Sequence, residues 1–330
     1  MNSLPFNIHG IKVIVETDVE NFYNFVDSNY LTFKVDSMFL HPEVHTIFSK
    51  DAGKFAKMQK KHLTRISEGF YIGETSIYWE NEFGFSIFLD FSTKNSWKVF
   101  SFHFDLLKNI DSEDKYKNYM RSMRWSIHFP VFILLDHLKG IKLVHASAVA
   151  KKGISTLFCG LNKVGKSSLA LYFYKNLDYK VVSDNFLLIG NGNVYSFPEM
   201  CRLSPEVSRN LKIPINNKQL IYGKYHLKIP CLDIMSKSRP KFVYIVTNSD
   251  EVNIVEVERT KALRLLTGMH DYLQEFPKYT FYGVFDYFGF GPKAESDIDM
   301  FPENARFFIL SHKMNWDYKS IVEGIAKNEI

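Results

Sequence analysis

Gly160-Leu161-Asn162-Lys163-Val164-Gly165-Lys166-Ser167 is a complete phosphate loop of the form G-x-x-x-x-G-K-[ST], and the residues around it decide which fold carries it. Each residue type answers a chemical need. The glycines let backbone N–H groups turn inward around phosphate oxygens. A lysine at Lys166 reaches the β- and γ-phosphates, and the Ser167 hydroxyl can ligate Mg²⁺. Upstream, Ile154–Cys159 reads as a short buried strand, and the residues from Ser167 to Asn176 read as a helix. Strand, glycine loop and helix N-terminus together aim backbone donors and the positive end of the helix dipole at an anion. The expected nucleotide contacts are therefore Gly160, Asn162, Lys163, Val164, Gly165, Lys166, Ser167 and Ser168, with ATP and Mg²⁺ as cofactors. The competing reading is a glycine-containing turn with an incidental lysine, which leaves the flanking strand and helix unexplained.

Outward from the loop, residues 142–149 form a strand candidate with His145 in its middle, and Lys151-Lys152-Gly153 turns the chain into the loop strand. Residues 179–183 form another buried strand that closes on Asp184-Asn185. A carboxylate at the end of that strand suits Mg²⁺ ligation or proton acceptance from a hydroxyl. The alternative is an Asp that caps a strand-to-turn junction. His145 is open to two readings, a structural histidine or one at a reactive centre. Glu199 and Arg202 supply either a metal ligand and a phosphate clamp or a surface ion pair. Asn191-Gly192-Asn193 is a tight-turn signal with a return strand at 194–197. Residues 242–247 and 252–257 are expected to pair across 248–251. Helices are expected at 261–273 and 317–326, with a final strand at 306–310. The result is an α/β nucleotide-binding domain with a mixed sheet over 139–330.

Residues 1–138 read as a separate, smaller α+β unit. Period-two alternation at 76–79, 84–92 and 97–104 predicts an antiparallel β-rich region, and 113–138 is helix-like, with Pro130 kinking it or starting a new segment. No catalytic spacing appears in this unit.

Composition narrows the class. A chain of 330 residues with 46% hydrophobic and 23% charged residues can build ordinary cores in two domains. The net charge of +5, from 41 basic and 36 acidic residues, is too small and too dispersed for a dedicated nucleic-acid binder, and it suits an anionic ligand. The densest basic stretch, 57–65, reads as a solvated helix face. Three cysteines at Cys159, Cys201 and Cys231 offer neither a disulfide framework nor zinc spacing. The N-terminus lacks a signal-peptide pattern and no window suits a membrane span, so the expectation is a cytoplasmic protein with no membrane partner.

His145-Ala146-Ser147-Ala148-Val149, then Gly160 to Ser167, then Val182-Ser183-Asp184-Asn185 follow in that order at short spacing. This order resembles the catalytic domain of the HPr serine kinase/phosphorylase family. It resembles more closely the HPr-kinase-like proteins of peptide-modifying pathways, including lasso-peptide kinases. The resemblance covers 141–205 well and 206–330 only loosely. It implies a domain similar in fold to phosphoenolpyruvate carboxykinase, preceded by an accessory unit that presents the acceptor. It implies an ATP-dependent kinase acting on a Ser or other hydroxyl of a peptide or small protein, assembled as a homo-oligomer. His145, Lys166 and Asp184 would be catalytic. Ser167, Asp184 and Glu199 would hold Mg²⁺, and Asn185 and Arg202 would face the substrate. Two departures stand out. The family commonly has Asp-Asp where this chain has Asp184-Asn185, and an amide cannot act as a base. Either Asp184 does that work, or the reaction leans less on a base, as a loose transition state permits. The family's Glu-Ile-Arg-Gly-Leu-Gly motif is also absent, so Glu199 and Arg202 are an analogous pair only. Asn185 keeps a second reading open, a nucleotide-dependent regulatory module without transfer. A small-molecule kinase of carboxykinase type is the third, with no evident second lysine and arginine set for a carboxylate.

Overall fold

Period-two patterning dominates the N-terminal part of the chain, and strands result. The computed structural model describes residues 1–330 except 83, 94, 109, 198–200, 214–219, 222, 269–287, 291–299, 314–317 and 330. Contacts divide the chain into two units, Met1–Leu138 with Phe288–Phe290, and Lys139–Tyr287 with Gly291–Ile330.

The first unit holds β1 (Asn2–Ile8), β2 (Ile11–Thr17), α1 (Glu20–Tyr30), β3 (Val44–Phe48) and α2 (Lys50–Gln59). There follow β4 (Thr64–Ser67), β5 (Phe70–Ile72), β6 (Ser76–Glu80), β7 (Phe85–Thr93) and β8 (Ser96–His103). They form one sheet in the order β1-β2-β3-β8-β7-β6-β5-β4. The strands expected over 76–104 pair antiparallel as β6, β7 and β8, and the sheet as a whole is mixed because β3 pairs parallel with both β2 and β8. A parallel pair needs a crossover, and α1 supplies the one between β2 and β3. β4 ends the sheet with all four residues exposed. Phe290, from the unit's second segment, packs its ring 5.1 Å from that of Trp97 and 5.6 Å from that of Phe91.

The helical stretch runs as α3 (Ser112–Met123), a π-helical turn Arg124–His128, and α4 (Phe129–Lys139). Pro130 explains the irregular turn. It has no N–H to give the Ser126 carbonyl four residues back. That carbonyl instead accepts from the buried Thr46 hydroxyl at 2.6 Å. The helix continues through Pro130 with a changed hydrogen-bond spacing, where a new segment was one of the two expectations.

The second unit begins with β9 (Lys142–Val144), β10 (Ala146–Lys151), β11 (Ile154–Cys159), α5 (Lys166–Asn176), β12 (Lys180–Ser183), β13 (Leu187–Gly190) and β14 (Asn193–Tyr195). A small sheet follows from β15 (Cys201–Leu203), β16 (Leu220–Ile221) and β17 (Lys224–Leu227), with α6 (Pro205–Asn210) after β15. β18 (Lys237–Asn248), β19 (Asn253–Val257), α7 (Arg259–Gly268), β20 (Arg306–His312) and the C-terminal helix Tyr318–Glu329 complete it. The part of the expected helix beyond Gly268, and Asp317, lie outside the described residues.

Two expectations about strands are corrected. The stretch 142–149 is not one strand. β9 pairs with β13, whereas β10 pairs with β11 and β12, so the chain changes partners at His145. Nor do β18 and β19 pair. β20 lies between them, parallel to β18 and antiparallel to β19. Sequence proximity favours a hairpin, but the apolar run Phe307–Leu310 competes better for the buried edge of β18, since Phe307, Phe308 and Leu310 are all buried.

The main sheet is covered on both faces. Phe158, Leu169, Ala170, Phe173, Tyr244 and Phe308 join one apolar cluster with Ile321 and Ile325 of the C-terminal helix. Leu157, Cys159, Val243 and Ile245 join another with Ala262 and Leu266 of α7. Alternate residues of β11 thus face opposite layers, as a strand buried on both sides requires. Phe158, Tyr244 and Phe308 are direct cross-strand neighbours. Their rings stack at 6.0 and 4.9 Å between centroids. Such aromatic columns fix register between strands, and here they hold β11 against β18 and β20. Among the described residues no helix is long and apolar enough to cross a membrane, and all three cysteines are free.

Candidate functional site

The register of the main sheet brings several strand ends together. β12, β11, β18 and β20 run parallel to one another and end on the same side, where β10 begins. In open α/β sheets the crevice beyond the carboxyl ends of parallel strands is where ligands bind. A cleft of about 440 Å³ occupies this place.

The phosphate loop joins β11 to α5 and shapes the floor of the cleft. Gly160 has φ 141, and a Cβ there would meet the Val246 carbonyl oxygen at 2.4 Å. The loop is pressed onto β18 at this point, and only glycine fits. Gly160→Ala is expected to destabilise the protein by at least ~2 kcal/mol, from backbone strain and overpacking together. Thermal melting should show a Tm lower by several degrees; an unchanged Tm would contradict the close approach. Val164 is buried beneath the loop, whereas Asn162 and Lys163 are exposed. Gly165, at φ 98, is the left-handed residue from which α5 starts, and its carbonyl accepts from the Leu169 N–H at 3.0 Å. The helix thus begins at Lys166, one residue earlier than read from sequence.

Lys166 is 6% exposed. Its ammonium donates to the carbonyls of Gly160 at 2.9 Å and Leu161 at 2.8 Å. Burial lowers its pKa from 10.5 to about 8, Cys159 and Asp184 oppose that shift, and the positive charge of Lys224 adds to it. The lysine therefore lies along its own loop as a cation held at some cost. Ser167 is half-buried at the cleft, with Ser168 behind it.

Asp184 follows β12 and is 2% exposed. One carboxylate oxygen accepts from the Ser147 hydroxyl at 2.5 Å, and the other from the Arg202 backbone N–H at 3.2 Å. Each oxygen keeps further lone-pair capacity, and the side chain lines the cleft. Asn185 adopts φ 71, a left-handed conformation that Asn tolerates better than most residues. It also lines the cleft, as do His145, at the break between β9 and β10, and Arg202 on β15. The structure thus brings together His145, Asn162 to Ser168, Asp184, Asn185 and Arg202. Gly160 sits at the root of the loop, and Glu199 lies outside the described residues.

The residues fit a magnesium nucleotide. The loop brings a buried lysine to the cleft, and a Ser hydroxyl and a carboxylate share it. Among the described residues no three His, Cys, Asp or Glu side chains converge as a metal cage.

Several lining residues carry no sequence signal. Ser147 stands in the quoted His145 stretch, yet only the pairing of β10 with β12 brings it to Asp184. Glu206 on α6 and Lys224 on the β16–β17 hairpin reach the cleft through the small sheet. His312, at the end of β20, arrives from the far side of β18.

No protein-family model matches the sequence, and no curated protein matches it. Among solved structures, the Hpr(Ser) kinase/phosphatase from Coxiella burnetii matches 57% of this chain and 95% of its own, at 11% identity and a TM-score of 0.29. A superposition that loose assigns neither fold nor function, so both rest on the strands and loop of this chain.

Proposed function

We propose that the chain is an ATP-dependent kinase that transfers a phosphoryl group to a Ser or other hydroxyl of a peptide or small protein, in an HPr-kinase-like fold. The observation that carries this reading is the Asp184 carboxylate, oriented at both oxygens and facing the same cleft as the phosphate loop. A module that only bound nucleotide could use Asp184 for Mg²⁺ but would have no need of the His145–Asp184 pair flanking the loop. Bound Mg²⁺ would neutralise charge on the phosphates, held by Ser167 with Asp184, and with Glu199 as a further proposed ligand. Lys166 would leave the Gly160 and Leu161 carbonyls for the β- and γ-phosphates, and the loop N–H groups would orient them. Asp184 would accept the proton of the acceptor hydroxyl, with His145 beside it. Arg202 and Asn185 would face the acceptor. Because the transition state is loose, positioning and charge neutralisation supply most of the catalysis.

The first unit, residues 1–138 in our assignment, would present the acceptor. The exposed edge strand β4 supports this, since an extended peptide can add to such an edge. Placement in the cytoplasm and assembly as a homo-oligomer belong to the same proposal.

Incubation with Mg²⁺-ATP and candidate peptides, followed by mass spectrometry, tests the reading. A gain of one phosphoryl group, about 80 Da, on a Ser-containing peptide is the expected result. Nucleotide binding with no phosphorylated product from any peptide would favour the second reading, a nucleotide-dependent regulatory module. The specific observation behind that alternative is Asn185, an amide in the cleft where a second carboxylate would serve as base.

A further inference from the structure

The proposed chemistry uses one flank of the loop, where β10 and β12 bring His145 and Asp184. The opposite flank, built by β18 and β20, ends on His312, which that chemistry leaves unused. His312 is 1% exposed and lines the cleft. Its Nδ1 lies 2.9 Å from the Lys313 carbonyl oxygen. A carbonyl only accepts, so in the neutral ring Nδ1 carries the proton and Nε2 presents a lone pair. Among the described residues Nε2 has no hydrogen-bond partner. That edge of the ring faces the loop: a Cβ on Gly165 would lie 3.1 Å from Cε1 and 3.2 Å from Nε2.

A buried acceptor left unsatisfied destabilises the empty site. With the ring neutral, bare phosphate oxygens cannot relieve it, because they too only accept. The groups that can are O–H donors that enter with a nucleotide, namely the ribose hydroxyls and the waters on its magnesium. We infer that His312 Nε2 accepts a hydrogen bond from an O–H donor carried into the cleft by the bound nucleotide. This makes His312 a ligand-contact residue on the flank of the loop away from Asp184. The inference rests on the nucleotide-site reading above.

Two substitutions in the full-length chain separate the functions of the ring. In His312→Asn the side-chain amide can still donate to the Lys313 carbonyl, but nothing replaces Nε2. In His312→Gln an amide oxygen can reach the position of Nε2. Binding is measured by titration calorimetry with Mg²⁺-ATP, Mg²⁺-2′-deoxy-ATP, Mg²⁺-3′-deoxy-ATP, Mg²⁺-tripolyphosphate, and ATP in EDTA. The Asn variant should bind Mg²⁺-ATP about tenfold more weakly, with the Gln variant recovering most of the loss. If the donor is a ribose hydroxyl, the native protein discriminates against one deoxynucleotide, the Asn variant does not, and the loss persists in EDTA. If it is a metal-bound water, the loss appears with Mg²⁺-tripolyphosphate and disappears in EDTA.

An Asn variant that binds Mg²⁺-ATP as the native protein does overturns the inference and leaves the nucleotide site standing. So does a Gln variant as weak as the Asn variant when both melt with the native protein. If the Asn variant melts lower, the Gln variant carries the test: native-like affinity and discrimination support the inference, and weak binding overturns it. A native protein that fails to bind Mg²⁺-ATP overturns the nucleotide-site reading and this inference with it.

Discussion

Replacing Lys166 with Met should abolish phosphoryl transfer and at the same time stabilise the empty protein. Removing one preorganised charge partner of the transition state typically costs 10²–10³ in rate, and a loop lysine that neutralises the transferred group belongs at or above that range. The stability effect has the opposite sign. Lys166 is buried on its own loop carbonyls with its pKa lowered from 10.5 to about 8. A shift of this size corresponds to about 3 kcal/mol against the charged folded state. Met retains an apolar stem of similar length without the charge; the Gly160 and Leu161 carbonyls lose a donor at about 1 kcal/mol each, so the net gain is smaller than that figure. Below about pH 8 the folded and unfolded chains both hold the proton, so the full cost applies. Between about 8 and 10.5 the unfolded chain holds more protons, and native stability rises with pH. The Tm advantage of the variant should therefore be largest near neutrality and fade as the pH approaches 10.5. A fully active Lys166→Met protein would sink the kinase reading. A variant that melts below the native protein at pH 7 would show that the lysine is not strained in the empty loop.

Asp184→Asn should cut turnover by roughly 10²–10⁴ and leave ATP binding largely intact, the range expected for loss of a positioned proton acceptor. The surroundings make this a clean deletion of charge. The amide oxygen can still accept from the Arg202 N–H, and the amide nitrogen can donate to the Ser147 hydroxyl, which rotates to accept. Both bonds survive, so the fold has no reason to change. Steady-state phosphorylation assays beside nucleotide titrations separate the two effects. An unchanged rate would remove Asp184 from the base role and leave Mg²⁺ and positioning to carry the reaction.

The loop, its strand and its helix are legible in the sequence because local chemistry sets each residue there. The Gly160 backbone must pass within contact of β18, and Gly165 must be left-handed, so glycine appears at both. The tight turns at Lys152-Gly153 and Asn191-Gly192 are legible for the same reason, since both residues of each pair have positive φ. What escapes reading depends on partners distant in sequence. Nothing near residue 145 shows that β9 and β10 serve different neighbours, so His145 looks like the middle of one strand. Nothing near 242–257 shows that a strand some fifty residues later will separate the two expected partners. His312 follows from that insertion, which is why its flank of the cleft is invisible until the sheet order is known.

Phe288–Phe290 belongs to the first unit although it lies far along the chain. The boundary after Leu138 is therefore not a place to cut. A polypeptide ending there would keep all eight strands of its sheet but lose the ring that covers Trp97 and Phe91. Trp97 is fully buried in the intact chain. The truncated piece would carry an uncovered aromatic patch and tend to self-associate. The N-terminal unit is discontinuous in sequence, so it can finish folding only after most of the protein has been synthesised.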